Sequence, residues 1–307
     1  MARPAATAAT AARVVSEHAE LWPAGALSWL VFLGWLPFLA TVPGPPDEAS
    51  LTFFGAGLVT SGAWPLNVIL LAVAAVGVVL AAFVAASTGE AALRTQLADP
   101  EGGLGRIVSR MRTILAIRLI AAAPAAVGVM ALLLGFAAVA PGEFSSPDIG
   151  GTLLVRLLGR LAPLLIVAVV LVLASQALSA SAERRGRATD SAIDALAAGL
   201  GQVRREPLAA LIVVVGTFVV RLAYLGLCAV LLGVLWAPIE ILLVGGVLDV
   251  RSAGLLVAFV GVWLCLVLGG GALQAWASIW WTLQLASDRP IVPGMQPTMR
   301  QQEGGAR

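Results

Sequence analysis

Thr217, Arg221, Tyr224 and Cys228 stand four, three and four residues apart inside an otherwise apolar stretch, so on a helix they share one face. Tyr224 is the only tyrosine of the chain. On a later apolar stretch Gln274, Ser278 and Thr282 recur every four residues. A guanidinium keeps its proton under all ordinary conditions, so Arg221 needs an acceptor or an anion wherever it is buried. Arg221 lies thirteen residues from Leu208, at one end of its apolar run, and Gln274 eleven from Leu285. At 1.5 Å per residue both sit roughly 16–20 Å along their helices, and the amide of Gln274 can accept from the guanidinium. No carboxylate is expected at that depth. The expected ligand-binding set is therefore Arg221, Gln274, Tyr224 and Thr217, facing a bundle interior and meeting an anionic or carbonyl-bearing ligand. A second reading stays open: if a surface helix extends to about Val213, Arg221 lies two turns below the membrane interface and only anchors its span.

Other chemistry is sparse. His18 is the only histidine and stands near the N-terminus, which excludes His-based acid–base catalysis within the membrane. No H-E-x-x-H, G-x-S-x-G, Walker A or G-x-G-x-x-G pattern occurs in usable context. The acid nearest a span is read as Glu240, at an outer edge, so a carboxylate pair for intramembrane chemistry is not expected. Cys228 and Cys265 sit in apolar stretches as small packing residues, and with one histidine they make no metal-ligand set. The expectation is a chain without catalytic residues, metal or cofactor, and not an enzyme. Gly269-Gly270-Gly271 reads as a close helix crossing or a kink, and Gly77, Ala81 and Ala85 as a packing seam. Arg156 and Arg160, one turn apart, read as interfacial arginines pairing with Glu143, Asp148 or Glu240.

The elements that must position these groups follow from composition. Residues are 60% hydrophobic and 12% charged, against about 45–50% and about 25% in soluble chains. Disorder, a disulfide scaffold and a nucleic-acid module all require more charge or cysteine than this. The chain reads as an integral membrane protein. Its apolar runs are continuous, without the alternation of a barrel, which predicts an all-α polytopic bundle. Six spans are expected: 22–42, 66–86, 114–140, 153–178, 208–236 and 254–285. Trp22, Trp64, Trp236, Trp280 and Trp281 fall near their edges, as an aromatic belt would. The short apolar runs Leu51–Val59 and Ile239–Leu248 read as interfacial or re-entrant loops packed on the bundle.

Arginine placement orients the bundle. Loops 87–113 and 179–207 hold nine arginines, whereas loops 43–65, 141–152 and 237–253 hold only Arg251. Both termini and the Arg-rich loops are thus expected in the cytoplasm. The 307 residues divide as a cytoplasmic N-terminal helix over 1–21, the six-span bundle over 22–285, and a cytoplasmic tail over 286–307. The first span reads as an uncleaved anchor, being too long for a signal-peptide core. All nineteen basic residues are arginine, which reads as a GC-rich bacterial genome, and the expected location is the bacterial cytoplasmic membrane.

The chain also carries signs of an internal repeat. Gly103-Leu104-Gly105-Arg106-Ile107 is matched by Gly199-Leu200-Gly201-Gln202-Val203, and Arg106-Ile107-Val108-Ser109 by Arg13-Val14-Val15-Ser16. Ala86-Ser87, Ala180-Ser181 and Ala286-Ser287 close the even spans. Three units of a cytoplasmic helix plus two spanning helices are inferred. The clearest such helix, Thr189–Val203, places Ile193, Leu196, Leu200 and Val203 opposite Asp190, Asp194 and Gln202. It could lie on the membrane surface or dock a soluble partner protein. Mitochondrial carriers are a poor comparison, because no Pro-x-acid-x-x-base element ends the odd spans. The layout resembles uncharacterised bacterial six-pass membrane proteins and the membrane domain of some glycerophosphoryl diester phosphodiesterases. No phosphodiesterase barrel accompanies it, so that resemblance implies the membrane fold and not the enzymatic activity. The expectation for function is a non-enzymatic, permease-like or lipid- or small-solute-handling module. The alternative is a structural or assembly protein with no ligand. The lipid bilayer is the one partner implied, with a cytoplasmic partner at the inner-face helices as a further option and no nucleic acid.

Overall fold

The structure, a computed structural model, describes residues 4–31, 66–98, 104–144, 153–185, 191–244 and 250–285. All described elements are helices: α1 (Pro4–Glu17), α2 (Leu21–Ser28), α3 (Leu66–Ala98), α4 (Leu104–Ala121), α5 (Ala123–Phe144), α6 (Leu153–Arg185), α7 (Ala192–Arg205), α8 (Pro207–Val244) and α9 (Val250–Leu285). In hydrocarbon every backbone N–H and C=O must be satisfied within the segment, and continuous apolar runs meet that demand as helices. Four helices are long and apolar enough to cross a membrane: α3, α6, α8 and α9. The α4–α5 pair, bent by 42°, makes five if it counts as one span. The protein is a multi-pass α-helical membrane protein.

Several boundaries differ from the sequence expectation, and for one reason. The expected spans stop short of their flanking charges, yet the helices continue. The second span extends to Ala98 rather than residue 86, and the fourth to Arg185 rather than 178. The fifth runs on to Val244 as helix, absorbing Ile239, which is buried and not part of an interfacial loop. Helices of 33 to 38 residues measure about 50–57 Å at 1.5 Å per residue, well beyond a hydrocarbon core of about 30 Å. The third span is broken rather than continuous: Pro124 has no N–H to give the Ile120 carbonyl, and the chain turns at Ala122. The bonds from Ala122 to Arg118 and from Ala126 to Ala122 hold the two halves in register. Of the first expected span only α2 is described; its remainder, and the run Leu51–Val59, lie outside the described residues.

Packing concentrates at one end of the bundle. There α1, α2, α3, α8 and α9 bury Val14, Leu21, Leu93, Val213, Ile279 and Trp280 together. A second cluster joins α2, α8 and α9 through Trp29, Cys228, Leu232, Ile239 and Phe259. Elsewhere the long helices are exposed: only 11–22% of each apolar window is buried, so most of that surface is left for lipid. The glycine run makes the tightest approach. A Cβ on Gly271 would lie 2.0 Å from the Trp22 carbonyl oxygen, and one on Gly25 would lie 2.1 Å from the Gly271 oxygen. Helices α2 and α9 therefore cross backbone to backbone, as the run predicted. Gly77 has nothing within 4 Å among the described residues; the buried face of α3 there is Ala82 and Ala86 instead.

Each short helix packs on a long one. α4 lies against α3, α7 against α6, and α1 against α9, each on the long helix that closes a sequence unit. A short helix precedes two longer ones at α4–α6 and at α7–α9. α7 is N-capped by Ser191, whose side chain accepts from the Ile193 N–H at 3.2 Å.

Candidate functional site

Where the packed end of the bundle converges, α3, α4 and α6 bring together four ionised side chains. Glu90 and Arg94 are one turn apart on α3, and Arg94 Nε donates to Glu90 Oε1 at 2.8 Å. The same guanidinium crosses to α6, where Nη2 donates to Glu183 Oε2 at 2.8 Å. Arg118 of α4 closes the figure, its Nε donating to Glu183 Oε1 at 2.8 Å and its Nη2 lying 3.6 Å from Glu90 Oε2. Ser179 Oγ also donates to Glu183, at 2.7 Å. All four residues are at least nine-tenths buried. Two carboxylates face two guanidiniums, so this quartet is electrically neutral. Burying such ions costs several kcal/mol each unless pairing and hydrogen bonds are nearly complete, and here they nearly are.

Two further guanidiniums adjoin the quartet without a carboxylate of their own. Arg184, beside Glu183, donates to the carbonyls of Ala180 and Ser278 and to Thr282 Oγ1, and stacks 5.8 Å over the Trp281 ring. Arg221 of α8 donates to Gln176 Oε1 at 3.3 Å and to Gln274 Oε1, and lies 5.8 Å over the Trp29 ring. Among the described residues neither forms an ion pair. Neutral acceptors take some of their N–H groups but leave two positive charges uncompensated. A chain of polar contacts joins them: Gln274 Nε2 donates to Ser28 Oγ, Ser28 Oγ to Glu90 Oε2, and Ser278 Oγ to Glu90 Oε1.

These groups surround a cavity of about 60 Å³. At ~10–15 Å³ per water it holds about four to six water-sized atoms. Its polar wall includes Ser28, Glu90, Arg118, Gln176, Arg184 and Arg221; Val31, Ala180, Ala277 and Trp281 supply apolar patches. Arg118 Nη1 and Arg221 Nε are buried and have no hydrogen-bond partner among the described residues. Buried donors of this kind are rare, and a native structure leaves them so only with a reason.

Of the four residues singled out from sequence, two line this cavity: Arg221 and Gln274, bonded to each other. Thr217 is buried but donates back to Val213 and Val214 on its own helix. Tyr224 donates to the Leu266 carbonyl at 2.6 Å, a contact between α8 and α9 away from the cavity. The expectation that no carboxylate reaches this depth does not hold: Glu90 and Glu183 are buried beside the cavity, not in loops. Glu90, Arg94, Glu183 and Arg184 were missed because each follows an apolar run by a few residues, and Arg118 because it stands near the start of an expected span, 114–140, with no acid of that span beside it. The recoverable signal was Glu90 and Arg94 at helical spacing, with a further Arg–Glu pairing in reach. Arg156 and Arg160 do pair with Glu143, at 3.0 and 2.8 Å. Cys228 is buried and Cys265 exposed, both as free thiols. Among the described residues no three His, Cys, Asp or Glu side chains gather as a metal site requires. No protein-family model, curated protein or solved structure matches this chain.

Proposed function

We propose that this multi-pass membrane protein is a non-enzymatic module that binds a small anionic solute or lipid headgroup in the cavity between α2, α3, α4, α6, α8 and α9. The observation that carries this reading is the charge imbalance. Four guanidiniums meet two carboxylates in one cluster, three of the guanidiniums line the cavity, and two of their N–H groups lack partners. An arginine cannot lose its proton to escape burial, so an anion is the natural complement. Both carboxylates are held by guanidiniums, which supports binding over acid–base chemistry. The location proposed is the bacterial cytoplasmic membrane with both termini inside, because the arginines of 87–113 and 179–207 flank the same end of the bundle. The cavity then opens on the cytoplasmic half, within reach of a soluble solute or an inner-leaflet headgroup.

The test is mass spectrometry of ligands that copurify with the protein. An anionic species present with the native chain and absent from Arg221→Ala supports the reading; absence from both refutes it. A second reading, a scaffold or assembly protein with no ligand, is favoured by the neutral quartet, which ties three helices together without needing an anion. That reading gains if no bound species is found and Arg221→Leu raises thermal stability.

A further inference from the structure

The cavity's charge, size and lining together narrow the anion. With Glu90, Arg94, Arg118 and Glu183 neutral as a set, the surplus is the two charges of Arg184 and Arg221. A dianion balances that surplus; a monoanion leaves one buried cation over. The volume of about 60 Å³ matches four to six heavy atoms, the size of a tetrahedral oxyanion and not of a halide. Two of the lining residues, on different helices, carry unpartnered buried donors, Arg118 Nη1 on α4 and Arg221 Nε on α8. Val31, Ala277 and Trp281 interrupt the polar wall and offer an apolar side where an organic stem could leave.

We propose that the cavity binds a phosphate monoester group as its dianion, with Arg184 and Arg221 as countercharge and Arg118 Nη1 and Arg221 Nε as donors. This rests on the anion-binding reading above. The same chemistry is presented by a small soluble phosphate ester and by the headgroup of phosphatidic acid, both monoesters; phosphodiester headgroups carry one charge fewer.

The test is isothermal titration of the full chain in detergent at pH 8, where a monoester is doubly charged because its second pKa is near 6. Methyl phosphate is the probe, with dimethyl phosphate and chloride as comparators. Methyl phosphate is expected to bind at least about tenfold more tightly than either. Arg221→Gln and Arg184→Gln should each weaken it about tenfold or more, since a charge-assisted contact is lost. Arg221→Lys, which keeps a cation but not the Nε donor, should weaken binding less than Arg221→Gln does, and Tyr224→Phe should leave it unchanged. These two variants distinguish a lost contact from a lost fold. A parallel arm reconstitutes the protein in phosphatidylcholine nanodiscs containing phosphatidic acid or phosphatidylglycerol and measures lipid retained after washing. Selective retention of phosphatidic acid identifies a lipid source; methyl phosphate binding alone identifies a soluble one. Equal binding of dimethyl phosphate or chloride overturns the monoester assignment while anion binding stands. If no anion binds in either arm, both readings fall.

Discussion

Replacing Glu183 by glutamine tests the charge cluster most directly. The carboxylate accepts from Arg118 Nε, Ser179 Oγ and Arg94 Nη2, and its side chain is 3% exposed. Glutamine has nearly the same shape, so packing is kept. One of its two terminal atoms becomes an NH₂, however, and must face either Arg94 or Arg118, donor against donor. The excess of positive charge around the cavity simultaneously rises from two to three. Removing one partner of a buried ion pair typically costs about 3–5 kcal/mol, against about 0–1 kcal/mol for an exposed pair. The expected loss for Glu183→Gln is therefore about 3–5 kcal/mol, read by equilibrium unfolding in mixed micelles. Arg118→Gln in the same background removes the orphaned cation, so the double variant should lose less than the sum of the singles by about 0.5–3 kcal/mol. A loss under about 1 kcal/mol for Glu183→Gln, with additive singles, would refute the buried quartet.

Gly271→Ala should destabilise by about 1–3 kcal/mol or more, because its Cβ would overlap the Trp22 carbonyl, whereas Gly77→Ala should be neutral or slightly stabilising; thermal unfolding of the pair compares them. Ser191→Ala should cost about 1 kcal/mol through the lost cap of α7, visible as faster amide exchange over its first turn. In a background lacking Cys228 and Cys265, single cysteines at the exposed positions Asp194 and Glu240 should report orientation. An impermeant thiol reagent on intact cells should label the Glu240→Cys protein only, and labelling at position 194 would invert the topology.

The helical class and most of the long helices were legible in the sequence, because continuous apolar runs leave the backbone no other solution. The pairing of Arg221 with Gln274 was legible too: counting residues from the helix ends set both at one depth. The failures share a cause. Averaging hydropathy along the chain stops a helix short of its flanking charges, so Glu90, Arg94, Glu183 and Arg184 fell into loops. Their burial is decided by neighbours more than sixty residues away: Ser28 for Glu90, and Arg94 and Arg118 for Glu183. Thr217 and Tyr224 failed differently. Helical spacing correctly put them on the face of Arg221, but periodicity does not say which acceptor a hydroxyl takes. Thr217 found its own backbone one turn back, and Tyr224 the Leu266 carbonyl. The bend at Ala122 required reading Pro124 as a missing donor rather than as one more apolar residue.

The seat of α1 has a consequence for biosynthesis. Trp280 Nε1 donates to Thr7 Oγ1, Thr7 Oγ1 to Gln284 Oε1, and Trp276 Nε1 to the Ala8 carbonyl. The first described helix is thus fastened to residues of the last, which leave the ribosome more than 260 positions later. During translation α1 can meet α2 early, through the bond from Trp22 Nε1 to the Val15 carbonyl, but its contacts with α9 must wait, while α4 and α7 find theirs on helices already made. The packing of α1 is complete only when α9 is in the membrane, which makes final docking of the N-terminal helix a completion step. A nascent chain stopped short of Trp276 would lack the bonds from Trp276 and Trp280 to Ala8 and Thr7, a difference by which unfinished copies are distinguishable from finished ones.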